Sequence, residues 1–341
     1  MYMRKILVFL SILSGLFSFS QKIQTQTIFS DSISIRAIEI WNDKLWYTGT
    51  DAKFGYISLN DTTDKKQLIL SDKKLQFRTL AQNKEYFYTI NIESPAYFFR
   101  IDKKTLQSEI VFTDNHPKAF YDALTFNNKK GIALGDPYGN CMTLLTTNNN
   151  GDNWQNIPCY PVHELGKNEA AFAASNTNIY LNNDVFWYVT GGMSSNIFHV
   201  IDNDSIIKKQ PIKFVNGSPS SGIYSLDMCP DNKFGIVVGG DYTKQSENIN
   251  NIATSIDGGK TWQVQASGNN AGYTTCVKIR PDTKGKDIIA VGDQHISLST
   301  DYGKNWTKIA DEKNLYVCEW VDGNKIVFAG KNRILKVHIQ L

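Results

Sequence analysis

Short apolar runs that end in glycine punctuate the whole chain. They read Leu45-Trp46-Tyr47-Thr48-Gly49, Ile132-Ala133-Leu134-Gly135, Trp187-Tyr188-Val189-Thr190-Gly191, Ile236-Val237-Val238-Gly239, Ile289-Ala290-Val291-Gly292 and Val327-Phe328-Ala329-Gly330. Tyr86-Phe87-Tyr88-Thr89 fits the same series, with Asn91 in the glycine place. No segment of the mature chain carries the 3.6-residue apolar period of a helix, so the runs read as strands. Their recurrence every 38–56 residues, allowing two units between Gly49 and Gly135, is the spacing of four-stranded propeller blades. Seven units follow, at residues 33–70, 74–113, 119–160, 169–213, 221–267, 271–311 and 314–341. The predicted fold is therefore all-β, a seven-bladed β-propeller. The last unit shows only three strand runs. The alternating stretch 22–29, with Ile23, Thr25, Thr27 and Phe29 on one side, is expected to supply the missing strand and close the ring, which removes an open sheet edge.

A second pattern is laid over the first. Ser255-Ile256-Asp257-Gly258-Gly259-Lys260-Thr261-Trp262 and Ser299-Thr300-Asp301-Tyr302-Gly303-Lys304-Asn305-Trp306 are two copies of an S-x-D-x-G-x-x-W box. Thr147-Asn148-Asn149-Asn150-Gly151-Asp152-Asn153-Trp154 is a third, with Asn149 in the Asp position. An Asp or Asn in such a turn accepts backbone N–H groups, and the glycine takes a φ that other residues avoid. The tryptophans Trp154, Trp262 and Trp306 then pack back over the turn. The Asp-box reading is structural: its carboxylate is consumed by its own turn, and it indicates fold rather than activity.

Residues 1–20 differ from the rest. Arg4 and Lys5 precede an apolar run, and Ser18 and Ser20 stand at −3 and −1 to a cut before Gln21, the arrangement of a secretory signal peptide. Residues 21–341 are then the mature propeller. It carries no membrane span, is read as a monomer, and is placed in the periplasm or outside the cell. Losing Arg4 and Lys5 lowers the formal charge of the 341-residue chain from +3 to +1. That balance supplies no electrostatic case for nucleic acid. Export permits disulfides. Cys141 and Cys159 flank the third box, and a bridge between them stands as an alternative to two free thiols. Cys229, Cys276 and Cys318 recur at similar places in successive units and read as buried thiols.

Charged residues at the expected inner strands are the candidate ligand contacts. Arg36, Arg78, Asp122 and Glu169 fall there, as do Asp227 and Glu319, at the wall or mouth of the central channel. A charge on a crowded strand has to be solvated or paired. A ligand site and a ring of structural ion pairs are both consistent with that pattern. Three Gly-Asp pairs end equivalent strands, Gly135-Asp136, Gly240-Asp241 and Gly292-Asp293, and Asp136 and Asp241 are taken as rim contacts. Insertions at 158–168, 216–221 and 243–251 read as surface loops, where binding residues concentrate. The five histidines are scattered with no metal-ligand spacing, so no metal is assigned. No nucleotide-binding glycine motif or nucleophile elbow is present, so no cofactor and no catalytic residue are assigned. Phe99-Arg100-Ile101-Asp102 has a faint likeness to a sialidase segment. That class needs three arginines around a carboxylate, and only five arginines remain in the mature chain.

The repeats and several longer segments together resemble a known group. Those segments are Ser32-Ile33-Ser34-Ile35-Arg36-Ala37-Ile38, Tyr121-Asp122-Ala123-Leu124, Gly131-Ile132-Ala133-Leu134-Gly135-Asp136-Pro137, residues 169–178 and Val238-Gly239-Gly240-Asp241-Tyr242. The chain resembles the BNR-repeat propellers similar to the photosystem II stability/assembly factor of the Ycf48 type. The resemblance implies an exported assembly or binding scaffold. Members are often labelled oxidoreductase or glycosyl hydrolase, and photosynthetic relatives act through an arginine-rich face. Thr274 stands where relatives often carry Arg, so that face is not carried over. The expected function is a non-catalytic scaffold for an envelope protein or a glycan, bound at the channel mouth. The alternative is an enzyme, a sialidase-like glycosidase or an oxidoreductase.

Overall fold

A computed structural model describes residues 23–201 and 206–340. The segment read as a signal peptide, and Lys22 of the closing strand, lie outside the described residues. The chain forms antiparallel sheets arranged as a β-propeller, mostly of four strands in simple up-and-down order. One such sheet holds Tyr121–Asn127, Lys130–Gly135, Thr143–Thr147 and Gln155–Asn156. Among the described residues, no helix is long and apolar enough to cross a membrane.

The glycine-ending runs are the second strands of their repeat units, and they are buried on both faces. Lys130–Gly135, Ile288–Gly292 and Gly235–Asp241 are buried at every position. This explains their continuous apolar sequence: each sheet is sandwiched between two others, so no face meets water. Fourth strands alternate or are polar. Lys65–Ile69 is exposed along almost its whole length. The core is a chain of clusters between neighbouring sheets. Phe87 and Phe99 meet Trp46 and Phe54 across one boundary, and Phe186 and Phe198 meet Ile132 and Leu134 across another.

The sheet count corrects the sequence reading. Among the described residues there are six hydrogen-bonded sheets, not seven separate units. The reason is the strand Ile23–Trp41, which is 19 residues long. Its first part pairs antiparallel with the C-terminal strand Lys325–Ile339, with Ile23 opposite Ile339 and Thr27 opposite Leu335. Its second part pairs with Lys44–Gly49, with Ile38 opposite Tyr47. The last and the first of the predicted units are thereby held in one six-stranded sheet. A second six-stranded sheet arises because Glu169–Ala170 and Gly191–Gly192 add to the edge of Ser221–Met228.

The box turns have a common geometry. Asp257 Oδ1 accepts the N–H of Lys260 at 3.0 Å and of Thr261 at 2.9 Å, and the Ser255 hydroxyl at 2.8 Å. Asp301 accepts the Asn305 N–H at 2.9 Å, and Asn149 accepts the Asn153 N–H at 3.1 Å. Gly151, Gly259 and Gly303 have φ of 80°, 76° and 79°, a region where a Cβ is costly. Trp262 and Trp306 donate to the carbonyls of Gly259 and Gly303, whereas the buried Trp154 Nε1 has no partner. Burial works against ionisation at Asp257, yet bonds from the Thr261 hydroxyl and the turn amides hold it at about 2. Arg100 is tied to Glu109 and Asp152 next to the third box, so its charge is already paired.

A disulfide joins Cys141 and Cys159, whose Cα atoms are 5.7 Å apart. Cys229, Cys276 and Cys318 are buried free thiols.

Candidate functional site in a divided channel

The segment 173–177 crosses the middle of the ring and divides its channel. Its contacts come from five repeats. Arg36 Nη1 donates to Ala174 O at 3.1 Å, and Arg78 Nη1 to Ala173 O at 3.4 Å. Asn176 Nδ2 donates to Leu80 O at 2.7 Å and Leu124 O at 3.1 Å, while its Oδ1 accepts the Leu124 N–H at 2.8 Å. Ser175 donates to Thr275 O at 2.7 Å, and the Thr177 and Ser225 hydroxyls lie 2.7 Å apart. Asn176 takes a left-handed φ of 60°, which Asn tolerates better than most residues. Its amide then satisfies backbone groups of two inner strands that would otherwise be stranded in the channel.

The inner strands run past this plug, so each contributes residues to both sides. On one side Arg36, Asp122 and Tyr224 border a cavity of about 470 Å³. On the other, Glu39, Thr125 and Asp227 border one of about 170 Å³. The second opens toward a groove of about 510 Å³ that shares Tyr180, Asp227, Lys278 and Glu319 with it.

The larger channel cavity has an aromatic wall and a charged wall. Phe120, Phe172, Tyr224, Tyr242 and Tyr273 make the first. Phe172 and Tyr224 are stacked 3.9 Å apart at 2°, and Tyr273 meets Tyr224 edge-on at 4.9 Å. Arg36, Arg78, Asp122, Asp136 and Asp293 make the second. Arg36 lies over the Tyr316 ring at 4.0 Å. Among the described residues, neither Arg36 nor Arg78 forms an ion pair within 4.0 Å. Burial, followed by the like charge of Arg36, pulls the Arg78 guanidinium below its usual value.

The carboxylates are in an unusual state. Asp122 is fully buried, and neither of its oxygens has a hydrogen-bond partner among the described residues. Asp136 Oδ1 is likewise buried and unpartnered. Burial and then the neighbouring Asp136 charge push Asp122 well above the carboxylate range, with Arg78 opposing them. Burial raises Asp136 to about 6. Asp293 is raised by burial against the pull of Arg36 and a 3.2 Å bond from Gln245.

Of the residues singled out in the sequence, Arg36, Arg78, Asp122 and Asp136 meet in this cavity. Glu169 and Asp241 do not line it. Glu169 accepts bonds from Thr190 at 2.5 Å, Ser194 at 2.7 Å, Asn196 at 2.7 Å and the Gly166 N–H at 2.7 Å, which exhausts a carboxylate. Asp241 caps a turn, taking the Thr243 N–H at 2.9 Å and hydroxyl at 2.7 Å. Asp293 was visible as the third Gly-Asp pair but was not singled out for the site. The aromatic wall carried no signal of its own, because Tyr224 sits in a strand buried at nearly every position and its facing cannot be read by alternation. One of the expected loops, 216–221, reaches the cavity through Pro219; Tyr242 precedes the loop 243–251, which does not line it. Nor does the loop 158–168.

No family model matches the chain, and no curated protein is similar to it in sequence. Solved structures share its fold. A Ycf48 structure described as bound to D1 peptide superposes with a TM-score of 0.65 at 13% identity, over 94% of this chain and 97% of that one. Ycf48 from Cyanidioschyzon merolae gives 0.65 at 12%, over 92% and 98%. The WD40 repeats of RRP9 give 0.67 at 9%, over 94% and 100%. The Ycf48-like propeller is thus the architecture, and at these identities the likeness concerns the fold alone.

Proposed function

We propose that this protein is an exported, non-catalytic binding scaffold that holds a protein partner at the larger channel cavity. The observation that carries the reading is a pair of guanidiniums, Arg36 and Arg78, in one aromatic-lined cavity with no carboxylate of the described residues within ion-pair distance. Arginine left unpaired in a partly dry pocket is primed for a bidentate anionic group such as a carboxylate. Aromatic side chains beside it supply contact area at low entropic cost. Asp122 and Asp136 are the further contacts. Glu169 and Asp241 support the local backbone instead. The Ycf48 structure with a D1 peptide shows that a propeller of this shape accommodates a peptide, which favours a protein over a glycan. Export follows from residues 1–20, with the Cys141–Cys159 bridge compatible with an oxidising compartment.

The test is affinity capture from the native cell envelope with wild type and an Arg36→Ala/Arg78→Ala double variant as baits. A partner retained by wild type and lost by the variant supports the reading. A partner held equally by both, with the variant folded, excludes this cavity. Mass analysis of the exported protein should find Gln21 at its N-terminus.

A further inference from the structure

The Arg pair leaves the acidic end of the same cavity unexplained. Asp122 lies on the strand Tyr121–Asn127, and Asp136 follows the neighbouring strand Lys130–Gly135. Gly135 pairs with Tyr121 and Leu134 with Ala123, so Asp122 stands at the bulge between them, and both carboxylates border the same cavity. Three of their oxygens are buried and receive no hydrogen bond. Buried carboxylate oxygens without donors are costly, and native structures supply a donor or a counter-ion in most cases. The contrast within the protein is sharp. The equally buried Glu169 has four hydrogen-bond donors.

Resting on the scaffold reading of this cavity, we propose that Asp122 and Asp136 form a subsite for a primary ammonium group, whose three N–H bonds they accept. The donor count suits the three oxygens: an alkylammonium offers three N–H bonds in a compact head. Charge suits it too. Two guanidiniums against three carboxylates, Asp293 included, leave the cavity wall one negative charge in excess when all are ionised. The aromatic wall accepts the alkyl stem and favours a cation over its rings. A neutral hydroxyl would meet one acceptor and leave the paired negative charge in place. The groups facing Asp122 are Asp136 and Arg78, with Arg36 and Asp293 elsewhere on the wall. Because burial favours the protonated form of the pair, the ammonium displaces a proton on entry, and binding tightens as pH rises.

The experiment is NMR titration of the folded full-length mature protein with propylamine, and with propan-1-ol as the neutral isostere. Propylamine should shift the amides around Asp122 and Asp136 saturably, at least 10-fold more tightly at pH 8 than at pH 5, and propan-1-ol should not. Asp122→Asn and, as a second variant should the first misfold, Asp136→Asn should each weaken amine binding 10-fold or more. Nα-acetyl-lysine methylamide and glucosamine as further probes separate a lysine side chain from an amino sugar as the source. Equal response to the alcohol, or undiminished amine binding in both Asn variants, overturns the proposal. The Arg36→Ala/Arg78→Ala protein separates the two readings. It loses the partner if the scaffold reading holds, while its amine binding tightens because two like charges have left the cavity.

Discussion

The two sides of the plug carry similar residues in opposite states. On the smaller side Glu39, Asp227 and Glu319 surround Lys278, and every one of them is engaged. Lys278 pairs with Glu319 at 2.5 Å. Asp227 accepts the N–H groups of Ile279 at 2.7 Å and Met228 at 3.0 Å, and Glu39 takes a 2.8 Å bond from Gln82. Burial still raises Asp227 to about 6 and Glu39 to about 7, and the surrounding carboxylates raise Lys278 despite its own desolvation. On the larger side the arginines are unpaired and Asp122 has no donor. A satisfied network holds inner strands together, whereas the unsatisfied one at the larger cavity wall is what the proposed binding would use.

The largest effect should come from breaking the satisfied side. Lys278→Met removes the cation that pairs with Glu319 and faces Asp227 and Glu39, and should destabilise the protein by about 3 kcal/mol, since the stranded charges keep their desolvation cost. Urea unfolding at pH 8 measures this, and a loss near zero would mean the network is not structural. The Arg36→Ala/Arg78→Ala pair should do the reverse, costing less than about 1 kcal/mol of stability while abolishing partner capture. Next is pH. Asp122 and Asp136 have folded values raised above the unfolded 3.8. The unfolded chain therefore releases their protons first, so their contribution to stability is full below about 4 and is lost as pH rises through the folded value, about 6 for Asp136. Asp122→Asn should therefore lessen the fall in melting temperature between pH 4 and 7 and gain about 1 kcal/mol at pH 8. A steeper fall in the variant would contradict the assignment. The smallest effect lies outside the channel: Asp301→Ala should cost about 1 kcal/mol by stranding turn donors, with no change in ligand binding.

The repeat, the box turns and their glycines were legible because each is a local requirement. A doubly buried strand needs a continuous apolar run, and the turn around Asp257 needs its hydroxyl, carboxylate and glycine at fixed offsets. Arg36, Arg78 and Asp122 were legible as charges on crowded strands, since such charges need a reason. Glu169 carried the same signal and proved to be a tie within its own loop. The difference lies in Thr190, Ser194 and Asn196, which reach it only once the chain has folded back. The separate seventh unit was lost for a related reason. The stretch 22–29 reads as the closing strand, and Ile23 does pair with the C-terminal strand, but nothing local shows that the same strand runs on unbroken to pair with Lys44–Gly49.

The amino-acid order alone determined the strand period, the all-β class and the turn chemistry, because these depend on neighbours within a few residues. Only the tertiary structure decided that residues 173–177 would plug the channel, that Asp122 and Asp136 would share a buried corner without a donor, and that Lys278 would meet three carboxylates. Each depends on groups from repeats far apart in sequence, where burial and pairing arise from the closure of the ring and not from the local chain.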